Sequence, residues 1–264
     1  MGRGSSKHFI GQLRHALDRH KWPFRPARTV IIFELMNYAG QKSLAVTPET
    51  ASDALWVTYR WMSLGLAVTG LVALGVAHSP DLVETLVGNR ILFYVLLFAQ
   101  LGLVMAFSSV ASRVSTAAAA AMFFAYSALT GVTFSTLFLV YTAASIGSTF
   151  FVTAGAFAGL SIFGSVTKRD LSAVGRFGFF ALIGLILASV VNMFVHSSGL
   201  DWVITLAGIL IFAGLTAYDT QRLKDMFRRG DASANLPLIG ALTLYLDFIN
   251  MFLFLLRIVG RRRS

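Results

Sequence analysis

Residues 202–219 read WVITLAGILIFAGLTAYD. Seventeen residues pass without a charge, and then an aspartate ends the run. At 1.5 Å per residue an apolar helix of about 20 residues crosses the ~30 Å hydrocarbon core of a bilayer. Backbone in hydrocarbon must satisfy its own hydrogen bonds, so such a run spans as a helix. Six further stretches have the same character, giving spans at about 59–78, 90–109, 115–138, 143–164, 175–195, 202–221 and 237–258. Runs such as ILFYVLLFAQLGLVMAF are continuous rather than alternating, which argues against a β-barrel. Composition agrees: 56% of the 264 residues are hydrophobic and 13% are charged, about half the charge of a soluble domain. The fold class expected is an all-α membrane protein with seven transmembrane helices.

The chain divides into a basic, partly amphipathic N-terminal segment, 1–55, and a transmembrane domain, 56–264. Lysine and arginine set the orientation. With the N-terminus cytoplasmic, nine basic residues precede or enter the first span, ending at Arg60. Further cytoplasmic bases are Arg113; Lys168, Arg169 and Arg176; and Arg222, Lys224, Arg228 and Arg229. The outer loops carry only Arg90. The tail Arg261-Arg262-Arg263 is the exception, because a seventh crossing puts it outside. Full crossing is favoured, since no Gly or Pro interrupts the chain between Gly240 and Gly260.

No signal-peptide pattern follows the N-terminal bases. Residues 7–21 place Phe9, Ile10, Leu13 and Leu17 at helical spacing among bases, as a helix on an anionic membrane surface would. A solvated basic arm reads equally well. The net charge of +10 follows from the inside-positive bias and does not call for nucleic acid. There is no cysteine, hence no disulfide, thiolate nucleophile or Cys-ligated metal. His8, His15 and His20 lack the i,i+4 spacing of a helical metal pair. Gln100 and Asn192 read as inter-helix hydrogen-bonding groups, and Gly155-Ala-Phe-Ala-Gly159 as a close-packing stripe.

Of twelve acidic residues, ten precede the spans or fall in loops. Asp219 ends the sixth span, and Asp247 lies inside the seventh. A charge at the centre of a membrane helix costs about 2.5–3.5 kcal/mol, so such residues face the bundle and find a partner. Sequential helices on a short loop are antiparallel neighbours, so the two aspartates can meet. Asp219 is the shallower if both helices start level. A structural role remains open for each, Asp219 beside Arg222 and Asp247 bonded to Asn250 or Tyr245. Two carboxyls a few Å apart in low dielectric share a proton. Such a pair can sense pH, offer hard oxygens to Ca²⁺ or activate water. The last option, an intramembrane aspartyl protease, matches only at Tyr218-Asp219. Its Gly-x-Gly-Asp is here Leu244-Tyr-Leu-Asp247, and no Pro-Ala-Leu follows. No enzyme is therefore expected, and no cofactor motif appears. A secondary transporter finds no inverted repeat or broken helix pair in its support.

Tyr218-Asp219-Thr220-Gln221, Leu244-Tyr-Leu-Asp-Phe-Ile-Asn250 and Phe252-Leu-Phe-Leu-Leu-Arg257 resemble the Bax inhibitor motif family. So do Phe138-Leu-Val-Tyr141, Ser145–Gly155 and the loop Thr167-Lys-Arg-Asp-Leu-Ser172. The resemblance covers residues 56–260 and is closest to the bacterial branch. It implies a seven-helix fold with the last helix central. It implies a pH-sensitive Ca²⁺ leak channel with Asp219 and Asp247 as the di-aspartyl sensor and Ca²⁺ contacts, and Arg113 as the basic latch. Ca²⁺ would be the permeant ion and not a cofactor. The implied setting is a multi-pass protein of a bacterial inner (plasma) membrane. Implied partners are the lipid bilayer and a second membrane protein such as a membrane protease, with no nucleic acid. The other reading is a non-transporting interaction protein that serves membrane-protein quality control or stress responses.

Overall fold

The computed structural model describes residues 48–230 and 233–263. The expectations for residues 7–21 and for His8, His15 and His20 fall outside them. The spans are α1 (Pro48–Ala77), α3 (Arg90–Val110), α4 (Thr116–Phe134) continued by the short α5 (Leu137–Val140), α6 (Ala143–Val166), α7 (Ser172–Val195), α8 (Ser198–Arg229) and α9 (Leu236–Val259), with α2 (Pro80–Gly88) between the first two. All seven are long and apolar enough to cross a membrane. Helix α1 starts at Pro48, upstream of the 55/56 boundary drawn from sequence.

Local chemistry sets the helix ends. The Asn89, Ser115, Thr142 and Ser197 side chains accept backbone N–H groups three residues on, at 3.1–3.3 Å, satisfying donors that helix starts leave open. Gly230, at φ 69°, closes α8 in the left-handed conformation that glycine adopts without steric cost. Helix α2 corrects the loop reading of Asp81 and Glu84. Pro80 sits at its start with Asp81 in the first turn, both favourable there.

Helix α8 differs most from its sequence reading. It starts at Ser198, four residues before 202, and runs eight residues past 221, so Asp201 and Asp225 lie on a helix and not in loops. The cause is a buried stripe, Thr216, Thr220, Leu223 and Phe227, whose helical spacing continues through the polar stretch.

Helix α9 is the interior element. Over its apolar window 61% is buried, against 6–33% for the other spans. It packs on α1, α4, α6 and α8. Tyr245, fully buried, lies edge-on to Phe123 and Tyr126 at 5.8 Å. Its hydroxyl pairs with Thr69 Oγ1 at 2.6 Å, and Thr69 also donates to the Ser127 carbonyl. One cluster thus joins α9, α1 and α4.

Both ends of α9 are pinned. At the start, Asn235 Nδ2 donates to the carbonyls of Ala111 (2.7 Å) and Val114 (2.8 Å), and its Oδ1 accepts from Thr116 Oγ1 (2.7 Å). At the other end the tail doubles back on the α5–α6 junction. Tyr141 and Arg262 form an antiparallel bridge, Arg263 N donates to Val140 O, and Arg261 N donates to Ser145 Oγ. Asn235 meets the α3–α4 turn and the tail meets the α5–α6 junction, at opposite ends of α4. Helix α9 therefore runs the length of the bundle.

Close packing is not where the Gly155/Gly159 stripe placed it. A Cβ at either glycine would meet nothing within 4 Å. Their neighbours lie on the other face of α6, along Thr149, Thr153, Phe157, Ser161 and Gly164. At Gly164 a Cβ would stand 2.1 Å from the Ala217 carbonyl oxygen, so there α6 and α8 touch backbone to backbone. Gln100 bonds across helices, to Thr133 and Leu129 O. Asn192 instead stays local, and its Oδ1 accepts Ser197 N beyond the end of α7.

Candidate functional site

The five residues AYDTQ, 217–221, each reach a different neighbour. Ala217 takes the close approach of Gly164, and the Tyr218 ring lies over Gly175 of α7. Asp219 faces Asp247 of α9. Thr220, fully buried, donates to Ser161 Oγ. Gln221 bonds Arg169 O and Leu171 N in the α6–α7 loop. Helix α8 is thereby held on three sides, which sets the direction of the Asp219 carboxyl.

The depth mismatch read from sequence disappears with the true end of α8. Asp219 lies ten residues before Arg229, about 15 Å of helix, and Asp247 lies eleven residues after Leu236, about 17 Å. A short loop joins these two ends, so the aspartates are level. Their carboxyls lie within side-chain hydrogen-bonding reach of each other. Asp247 is 5% exposed, and its Oδ2 finds no N–H or O–H donor among the described residues. The structural partners considered for it are engaged elsewhere. Tyr245 bonds Thr69, and Asn250 Nδ2 donates to Leu246 O.

Both carboxyls line a cavity of about 850 Å³ between α7, α8 and α9. Thr243 and Asn250 border it beside them. Its other end is marked by Arg257 and Asp201, 3.5 Å apart. The Arg257 guanidinium lies 5.6 Å from the centre of the Phe254 ring. The cavity thus carries an acid pair deep in the bundle and an ion pair toward the α9 C-terminus.

Arg113 is not brought to this site. It is exposed in the α3–α4 turn, and the ion pairs among the described residues are Arg228–Asp225 and Arg257–Asp201. The cation whose charge reaches Asp219 is Arg222, three residues on. No group of three or more His, Cys, Asp or Glu converges among the described residues, so the site offers a cation two carboxyls rather than a full ligand cage. Sequence reading missed Asn235 and Asp201. Asn235 sits one residue before Leu236-Pro237, where it reads as a helix cap, yet its side chain makes no cap bond and serves the α3–α4 turn instead.

Comparison with known proteins agrees with this architecture. A family model described as "Inhibitor of apoptosis-promoting Bax1" matches residues 52–264. The inner membrane protein YbhL of Escherichia coli strain K12 is 50% identical over 210 residues, which cover 78% of this chain and 90% of that protein. An uncharacterized protein of Deinococcus radiodurans is 47% identical over 208 residues, 78% and 89% of the two chains. An uncharacterized membrane protein of Streptococcus pyogenes serotype M1 is 36% identical over 207 residues, 77% and 90% of the two chains. With a matched segment that takes in every span, this chain is a multi-pass membrane protein and belongs to the Bax inhibitor family.

Proposed function

We propose that the protein is a pH-sensitive Ca²⁺ leak of a bacterial inner membrane, with its N-terminus cytoplasmic and Asp219 and Asp247 as sensor and gate. One observation carries this reading. A buried carboxyl oxygen without a donor, Asp247 Oδ2, lies in a cavity that also holds a second carboxyl. A proton held between the two acids supplies the missing hydrogen and keeps α8 and α9 together. Its loss leaves two negative charges face to face in a medium that screens them weakly. They repel each other, and they attract a divalent cation whose preferred ligands are carboxylate oxygens. Thr243 and Asn250 add neutral oxygens beside them, and water completes the shell of a passing ion. Leak then rises with pH through the titration of the pair. Catalysis has no part in this reading.

The test is Ca²⁺ entry into dye-loaded liposomes across a pH series, for the wild type, Asp219→Asn and Asp247→Asn. Either substitution is expected to flatten the pH profile. No flux from the wild type, or an unaltered profile in both variants, refutes the proposal and leaves the interaction-protein reading. Arg113→Ala tests the latch separately. A shifted pH midpoint assigns it to the gate, and an unchanged one removes it.

A further inference from the structure

Helices α1 and α6 each pack on α9, and between them runs a groove in two parts. The part toward the α1 N-terminus measures about 580 Å³ and the part toward the α5–α6 junction about 590 Å³. Both are lined by Leu66, Phe150 and Phe248, so they meet end to end. Phe248 forms the floor, with the Phe150 and Phe157 rings 5.3 and 5.5 Å away. From Ser52 to Leu74 the lining spans 22 residues of α1, about 33 Å, which is the thickness of a bilayer core.

The two parts differ in chemistry. The second is apolar but for Thr69, whose hydroxyl is taken by Gly65 O, Ser127 O and Tyr245. The first ends among Ser52, Ser165, Tyr59 and Lys224, beside Trp56, which is 68% exposed. Lys224 Nζ donates to Ser165 O at 2.6 Å. An ammonium has three N–H donors, and no carboxylate pairs with this one among the described residues. Exposed Arg60, Lys168 and Arg169 add positive charge to the same end of the bundle.

We propose that this groove is a binding site for one anionic phospholipid, its phosphate on Lys224 and its acyl chain laid along α1 and α6 over Phe248. The polarity matches an amphiphile and not a partner helix. One end offers a cation beside an interfacial tryptophan and tyrosine, where headgroups lie. The rest offers hydrocarbon. A partner helix would bring no charge for the ammonium unless it carried an acid at that depth. The site lies on the α1–α6 side of α9 and does not depend on the Ca²⁺ reading.

Trp56 supplies the probe. In a full-length parent carrying Trp22→Phe, Trp61→Phe and Trp202→Phe, its fluorescence is read in phosphatidylcholine vesicles containing dibrominated phosphatidylglycerol or dibrominated phosphatidylcholine. Bromine quenches on contact. Phosphatidylglycerol is expected to quench with about fivefold higher relative affinity, the factor one lysine contributes near an anionic surface. Lys224→Gln should bring that ratio near one, and Lys224→Arg should keep it. Ala158→Phe, which fills the groove from an exposed position on α6, should remove the preference with Lys224 intact. Equal quenching by both lipids in the parent, or a preference that survives Lys224→Gln and Ala158→Phe, overturns the proposal. So does the absence of quenching by either lipid, which would mean that protein fills the groove.

Discussion

Asn235→Ala is the most informative single perturbation of the bundle. Asn235 is 3% exposed, and its side chain makes three hydrogen bonds of 2.7–2.8 Å to the α3–α4 turn. It anchors the start of α9 and so sets the height of Asp247. Hydrogen bonds between membrane helices average ~0.6 kcal/mol, so three contribute about 2 kcal/mol. The substitution also strips the carbonyls of Ala111 and Val114 of their side-chain donor, at about 1 kcal/mol if one of them stays dry. The expected loss is about 3 kcal/mol, roughly a hundredfold in the folding equilibrium. Asn235→Asp sharpens the test. It keeps the size and the acceptor for Thr116 but points a carboxylate oxygen at two carbonyls, so it should cost at least as much as alanine. The assay is equilibrium unfolding in mixed micelles, followed by circular dichroism as denaturing detergent is titrated. An Asn235→Asp protein within about 0.5 kcal/mol of wild type would sink this account, because shape alone would then hold the turn.

Three further outcomes follow from the packing and the loops. Gly164→Ala puts a Cβ 2.1 Å from the Ala217 carbonyl oxygen, so α6 and α8 must part by about 1 Å at a cost of ~1–3 kcal/mol; in the same unfolding assay Gly155→Ala, which meets nothing, should cost nothing, because alanine is the better helix former. Tyr245→Phe loses the bond to Thr69, which keeps Gly65 O and Ser127 O, so the loss should fall between ~0.6 and ~1.7 kcal/mol; a larger value would mean the hydroxyl does more than join α9 to α1. In the α6–α7 loop, Ser172 N donates to Asp170 Oδ1 at 2.8 Å, and bonding to Ser172 holds the Asp170 carboxyl below the usual carboxylate range. A depressed folded-state value makes a contribution to stability that is present above the unfolded value of about 3.9 and is lost as pH falls through the folded one. Carboxyl NMR titration in micelles reads that value directly, and an ordinary one would discard the bond.

Much of the architecture is written in the order of residues because a bilayer leaves few choices. Seven apolar runs of sufficient length must be helices, and all seven are found. Capping residues at 89, 115, 142 and 197 mark starts that the sequence readings placed within a few residues. The two membrane-depth acids stood out by elimination, since the other ten lie outside the spans or near their ends. Less legible was anything that depends on which face a neighbour covers. Gly155 and Gly159 have the spacing of a packing motif, but the contact falls at Gly164 on another face of the same helix. Arg113 has the charge of a latch, but it makes no ion pair with either acid among the described residues, while Arg222 comes near Asp219 by helical spacing alone.

Class, number of spans and the pair of acids follow from residue order alone, because hydrophobic run length and unpaired charge act residue by residue. Whether those acids meet depends on packing. That rests on α8 continuing to Arg229 through a polar stretch, which no apolar run announces. The continuation is held by Thr220, Leu223 and Phe227 packing inside the bundle. Burial against other helices, and not local propensity, sets where a helix ends, and here that end brings Asp219 level with Asp247.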